Sequence, residues 1–417
     1  MLQMGIAAMA FVSLHPYFLW SHQKPAYAVA TLVVMASAAL GWRALDFSPE
    51  RVVLAAGFAL FFLYLSLLPK VQGGATRWFF LIPFAVVLIH LRQEHLRRAF
   101  GWFQWLFALS LLPGMVLWLL ALAGVPLELR YTDPPPDIRQ RGDTGYLELP
   151  GAVFILTNSL VLPHGGVLFR LCGMYDEPGT VGTIAALCLA VTRFRVTDFR
   201  GAVCLAAGAM SLSVAFAILV GLGAIATAAA AKRPRLLAAT LVCALAGALP
   251  LSGLRSSDPS GSNITVFMSG RFAPSTPDGV RQHFAPAPEW GLRNTPGLDS
   301  RTQPGMRPLL DKWAGSGAAT LLFGVAADAS IVHAPGSSVW YRVLTDFGIV
   351  GFVGAFLLFA WPSIVLWRSG RLDAGVVIFC ALFLMSFYQR PIIWLPAQML
   401  IYLAGTYGLS NPREKHV

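Results

Sequence analysis

From Gly201 to Ala231 the chain carries no charged residue, and similar runs extend from Val52 to Pro69, Ala99 to Leu127 and Phe347 to Trp367. Lipid offers no water to the backbone. A segment that crosses it must close its own hydrogen bonds, and for a single segment only the helix does so. Charged residues make up 12% of the chain, where soluble domains carry about 25%. Hydrophobic residues make up 56% and the mean hydropathy is +0.63. The expected fold is an all-α polytopic membrane protein.

Twelve spans are expected, at 2–20, 25–42, 52–69, 78–91, 100–124, 179–193, 200–212, 213–231, 236–252, 338–367, 374–388 and 392–410. The stretch Met1 to Trp20 has no preceding Lys or Arg and no small-residue cleavage site, so it is expected to be a first span rather than a removed signal peptide. The weakest division lies within 200–231, where Gly208 and Ser211-Leu-Ser213 suggest a break.

Charge supports that break. The connectors at 43–51, 92–98, 193–200, 232–235 and 368–371, with the tail, carry fifteen Lys or Arg, whereas the alternate short connectors hold only Lys24, Lys70, Arg77 and Arg390. The positive-inside rule places the first set in the cytoplasm, and all assignments agree only if 200–231 crosses twice. Both termini are then cytoplasmic. The chain divides into helices one to five (1–124), a first outer segment (125–178), helices six to nine (179–252), a second outer loop (253–337) and helices ten to twelve with a tail (338–417). In a Gram-negative inner membrane the outer side is the periplasm. The formal charge of +11 follows this topology and does not point to nucleic acid.

The first outer segment is rich in breakers, among them Thr132-Asp-Pro-Pro-Pro136, and its apolar piece Tyr146 to Leu162 is interrupted by Pro150 and Asn158. That piece is expected to be re-entrant or interfacial. Five cysteines are present, with only Cys172 in a polar segment, so no disulfide within a loop is expected; no ligand spacing for zinc is present.

The chemistry-bearing residues gather on the outer side. Arg170-Leu-Cys-Gly173-Met-Tyr-Asp176-Glu177-Pro178 precedes an apolar run. Charges at the mouth of a membrane helix are costly and point to function. An ordinary helix start would explain Glu177 and Pro178 but leave Arg170 and Gly173 without a role. A second group is Arg271, Arg281, Arg293, Arg301 and Arg307, against a single lysine, Lys312, in the long outer segments. Guanidinium forks bind phosphate oxygens in pairs and stay charged where water is scarce, so such a surface suits a lipid-linked pyrophosphate; solvated loop arginines are the plain alternative. His333 could take a proton from a sugar hydroxyl, or simply sit at the interface. Arg342 and Asp346 stand one helical turn apart and could pair. No GxSxG, HExxH or P-loop motif occurs.

Four elements resemble the bacterial O-antigen polymerase and ligase superfamily: Arg170-x-x-Gly173-x-x-x-Glu177-Pro178; Ser211-Leu-Ser213; Phe323-Gly324-Val325; and Leu344-Thr-Asp346-Phe-Gly348-Ile-Val-Gly351. Their order, taken with the topology, covers nearly the whole chain. The resemblance implies a GT-C-like, metal-independent glycosyltransferase without a cofactor. Its donor would be an oligosaccharide on undecaprenyl pyrophosphate, it would work among membrane lipids, and a chain-length regulator would be a companion. Arg170, Arg271, Arg301 and Arg307 would hold the pyrophosphate; His333, Glu177 and Arg170 would be catalytic. Ser337 and Ser338 stand where the family's ligases carry a His or His-Asn, which favours a polymerase over a ligase. A twelve-span secondary transporter is the competing class, marked by repeat symmetry and midplane polarity. A structural subunit of an export assembly is a third.

Overall fold

The computed structural model describes residues 1–71, 78–123, 125, 127, 130–132, 146–155, 159–161, 167–232, 305–334, 340–388, 390 and 392–408. These are mostly helical. The chain opens with α1 (Leu2–Val12), a 3-10 turn (Tyr17–His22) and α2 (Gln23–Leu40). α3 (Pro49–Leu67), α4 (Ile82–His90) and α5 (Gln93–Leu122) follow. After a short β region come α6 (Pro178–Val191), α7 (Phe199–Met210) and α8 (Val214–Ala230). Three small helices, α9 (Met306–Gly315), α10 (Ala318–Phe323) and α11 (Ala329–His333), precede α12 (Tyr341–Arg368). α13 (Ala374–Ser386) and α14 (Pro396–Leu403), which runs into a π turn at Ala404–Gly408, complete the described chain.

Among the described residues, three helices are long and apolar enough to cross a membrane: α3, α5 and α12. The segment expected as two spans, 2–20 and 25–42, holds a pair of helices bent by 99° at their junction, a fourth candidate crossing if the pair is counted as one span. The turn at the bend places His15 at φ +55°, and the aromatic residues Tyr17, Phe18 and Trp20 pack there. Helices at 78–90, 178–191, 199–210, 214–230 and 374–386 are apolar but shorter. Large apolar side chains such as Leu32, Leu60, Val116 and Leu357 stand exposed around the bundle. A surface like that suits lipid and would be a liability in water. The expected span at 236–252 lies outside the described residues, as does most of the second outer loop.

The centre of the bundle is α6, buried at every one of its residues. Its sequence, PGTVGTIAALCLAV, is built from small side chains. Between helices surrounded by lipid no hydrophobic force favours association, so close backbone approach and dispersion must supply it. Gly182 shows the effect: a Cβ there would stand 2.4 Å from the Cβ of Ser213, so the α7–α8 turn can lie directly on α6 only because position 182 has no side chain. The break expected inside 200–231 is that turn. Ser211 to Ser213 separate α7 from α8.

In its described residues, the apolar piece expected to be re-entrant or interfacial is strand and turn. β1 (Arg130–Thr132), β2 (Tyr146–Leu149) and β3 (Ala152–Ile155) form an antiparallel sheet, with Glu148 opposite Val153, and β4 (Ser159–Val161) pairs with β5 (Val167–Phe169). Pro150 and Gly151 make the tight turn between β2 and β3, which is why Pro150 interrupts no helix. The sheet rests on the bend after α1. Trp20 meets the Tyr146 ring at 4.9 Å, the amide of Val153 donates to the Gly173 carbonyl at 2.8 Å, and that of Tyr17 donates to the Met174 carbonyl at 2.8 Å.

Contacts between connectors sort them into two ends of the bundle. At one end Arg51 donates to the carbonyls of Ile89 and Leu91, Arg97 to that of Gly408, and Arg193 pairs with Asp373 at 2.7 Å. At the other meet the bend after α1, the 170–177 loop, the 211–213 turn and the 386–394 connector.

Candidate functional site

α6 begins where Glu177, in extended conformation, is followed by Pro178. Proline suits the first helical turn because its missing N–H would have had no partner there. The carboxylate of Glu177 faces the connector between α13 and α14, where Arg390 Nη2 meets Glu177 Oε2 at 2.7 Å. The same nitrogen donates to the hydroxyl of Thr180, which in turn donates to Asp176 Oδ1 at 3.2 Å. The carbonyl of Asp176 accepts from the Tyr146 hydroxyl at 2.8 Å, so the β2–β3 sheet braces the loop. Arg390 Nε is buried and has no hydrogen-bond partner among the described residues. The result is a chain of charged and hydroxyl groups across the positive end of a helix buried along its whole length, where anionic groups are favoured.

Arg170 lies beside it, buried. Its Nε donates to the Ser211 carbonyl at 3.0 Å and its Nη2 to the Leu212 carbonyl at 3.2 Å. These carbonyls follow the end of α7, where a cation satisfies groups that the helix leaves open. Arg170 therefore holds the α7–α8 turn against the start of α6. Gly173, expected at a turn, adopts φ +59°.

A second corner forms at the start of α12. Asp346 is fully buried and accepts from the amide of Ser330 at 2.7 Å, from its hydroxyl at 2.6 Å and from Arg342 Nε at 3.4 Å. The pairing of Arg342 with Asp346, read from their spacing, is present. Gly324 and Gly348 both take positive φ here, and a Cβ on Gly348 would stand 2.3 Å from the Leu322 carbonyl oxygen. These two glycines let the turn after α10 lie against α12, where the amide of Val325 donates to the Thr345 carbonyl at 2.7 Å. His333 ends α11 with its side chain exposed. Arg307 is exposed on the first turn of α9. Gly305, just before α9, lies so close to the His333 carbonyl that a Cβ would stand 2.0 Å from it, which brings His333 and Arg307 to the same corner.

The connector that bears Arg390 packs on the same part of α12. Phe387 meets Phe352 at 6.0 Å and Trp394 meets Phe347 at 5.6 Å. Both corners thus belong to one end of the bundle. Arg271 and Arg301 lie outside the described residues. Among the described residues no three His, Cys, Asp or Glu side chains converge.

The residue that sequence reasoning counted only as a stray charge is Arg390. Its signal was available: Gln389-Arg390-Pro391 puts one arginine between two apolar helices on the side otherwise poor in positive charge. No protein-family model matches this chain, and no curated protein or solved structure matches it.

Proposed function

We propose that this protein is a glycosyltransferase of the O-antigen polymerase type, embedded in a bacterial inner membrane with both termini in the cytoplasm. It joins undecaprenyl-pyrophosphate-linked repeat units at the outer face. The observation that carries the reading is the placement of charge. The ion pairs Arg51–Asp46, Arg98–Glu94, Arg193–Asp373 and Arg200–Asp198 lie at helix ends or in connectors, as do Glu177–Arg390 and Asp346–Arg342 at the end where the sequence motifs meet. A transporter concentrates its polar groups near the midplane. An enzyme that acts on a headgroup needs them at the surface.

In this reading the acceptor hydroxyl attacks the anomeric carbon and the lipid pyrophosphate departs. Arg390, Arg307 and the start of α6 neutralise the charge that grows on the leaving group. Arg170 holds that end of α6 in place, and Arg271 and Arg301 supply further guanidinium groups from the outer loop. His333 takes the acceptor proton and Glu177 orients the acceptor. Twelve crossings and a GT-C-like architecture belong to the same proposal.

Loss of the gene separates polymerase from ligase. A strain without a polymerase makes single repeat units on their carrier or terminal acceptor, which is the result expected. Long polymer not attached to a lipid A core would instead identify a ligase. In the polymerase, His333→Ala lowers the rate by about 10²–10⁴-fold, the usual worth of a positioned proton acceptor.

A further inference from the structure

The helix that ends in His333 is five residues long, too short to persist through its own hydrogen bonds. Something else must hold the segment. Asp346 grips it from α12. Its buried carboxylate holds both the amide and the hydroxyl of Ser330, one turn before His333. Ala329 and Ala334, on either side of that turn, are buried at 0% and 1% exposure, while His333 between them points outward. The segment is tied down again upstream, where Asp328 Oδ1 accepts from the amide of Val71 at 2.7 Å and the amide of Ala327 donates to the Pro69 carbonyl at 2.8 Å. A buried carboxylate costs free energy unless donors surround it, and its best-attested use is to specify one arrangement over others.

We infer that Asp346 is a positioning residue, a latch that grips Ser330 and so sets the direction of the His333 side chain at the outer face. The inference rests on the proposed function for the role of His333. The latch itself stands on the geometry alone. Arg342, whose Nε approaches the same carboxylate, keeps Asp346 from turning away.

Two measurements test it on the full-length protein in detergent or nanodiscs. The first is kinetic. Misplacing a catalytic group by about 1 Å can cost about 10²-fold, so Asp346→Asn should lower kcat by roughly 10–100-fold while KM for lipid-linked repeats stays within about twofold. Ser330→Thr, which keeps the hydroxyl, should retain most of the activity lost in Ser330→Ala. Placed in a His333→Ala protein, Asp346→Asn should cause no further loss. An equal loss in both backgrounds, or a change in KM alone, would overturn the latch. The second needs no activity. With native cysteines replaced, spin labels at His333→Cys and Ser369→Cys should report one narrow distance distribution, which Asp346→Asn broadens. An unchanged distribution sinks the latch whatever the reaction. Full activity in His333→Ala would instead remove His333 from the chemistry and leave the latch to be judged by the spin labels.

Discussion

The Glu177–Arg390 pair offers the sharpest energetic prediction. Its side chains are 22% and 31% exposed for Arg390 and Glu177 respectively, between two known limits. Solvated pairs contribute about 0.2–1 kcal/mol, and removing one partner of a fully buried pair costs about 3–5 kcal/mol. Arg390 also bonds Thr180, so a single deletion would mix two losses. A double-mutant cycle separates them. Arg390→Ala alone should destabilise by about 2 kcal/mol, given the pair's partial burial, and partly relieve the unpartnered Nε. The coupling between Arg390→Ala and Glu177→Ala should be about 1.5 kcal/mol, within the usual range for residues in direct contact. The assay is reversible unfolding in mixed detergent and SDS, with helicity as the signal. A coupling below about 0.5 kcal/mol, the size of an exposed pair, would refute the reasoning: the two charges would be solvated separately and the end of α6 would not be preorganised.

Arg170→Ala should abolish chain extension with the protein still present in the membrane. Arg170→Lys should rescue poorly, because a point charge cannot bond both the Ser211 and Leu212 carbonyls as the fork does; polymer length on a gel decides. Gly348→Ala should destabilise by about 1–3 kcal/mol, since φ is +65° and the Leu322 carbonyl fills the space a methyl would need; a melting temperature equal to the parent's would contradict that packing. Reporter fusions at residues 234 and 417 should give cytoplasmic signals and one at residue 280 an outer signal, and a cytoplasmic signal at 280 would defeat the topology.

Much of this fold is visible in the sequence because lipid leaves the chain few options. Apolar runs gave α3, α12 and α13 nearly to their ends and α5 at its C-terminal end, while its first two turns, which carry Glu94, Arg97 and Arg98, read as connector; the break at Ser211 to Ser213 was marked by Gly208 and the serines and supported by charge alternation. Lengths were harder. Helices such as α1 and α4 have 11 and 9 residues, shorter than the apolar runs at 2–20 and 78–91 that contain them. The β2–β3 hairpin was missed because its two strands are four residues each and as apolar as interfacial helix. The Pro150-Gly151 turn was the better clue. At the site, Arg170, Glu177 and the Arg342–Asp346 pair were legible because they lie in local patterns. Arg390 and Ser330 act on those patterns from distant parts of the chain, and no spacing rule connects them.

The central claim is that this protein lengthens lipid-linked glycans. Purified protein in nanodiscs is given undecaprenyl-pyrophosphate-linked repeat units alone, and the products are sized on a gel. The account predicts a ladder of products, each longer by one repeat, that disappears in Arg170→Ala and Arg390→Ala. No ladder with repeats alone, but transfer once a lipid A core acceptor is added, would make the protein a ligase; no transfer under either condition would contradict the account altogether.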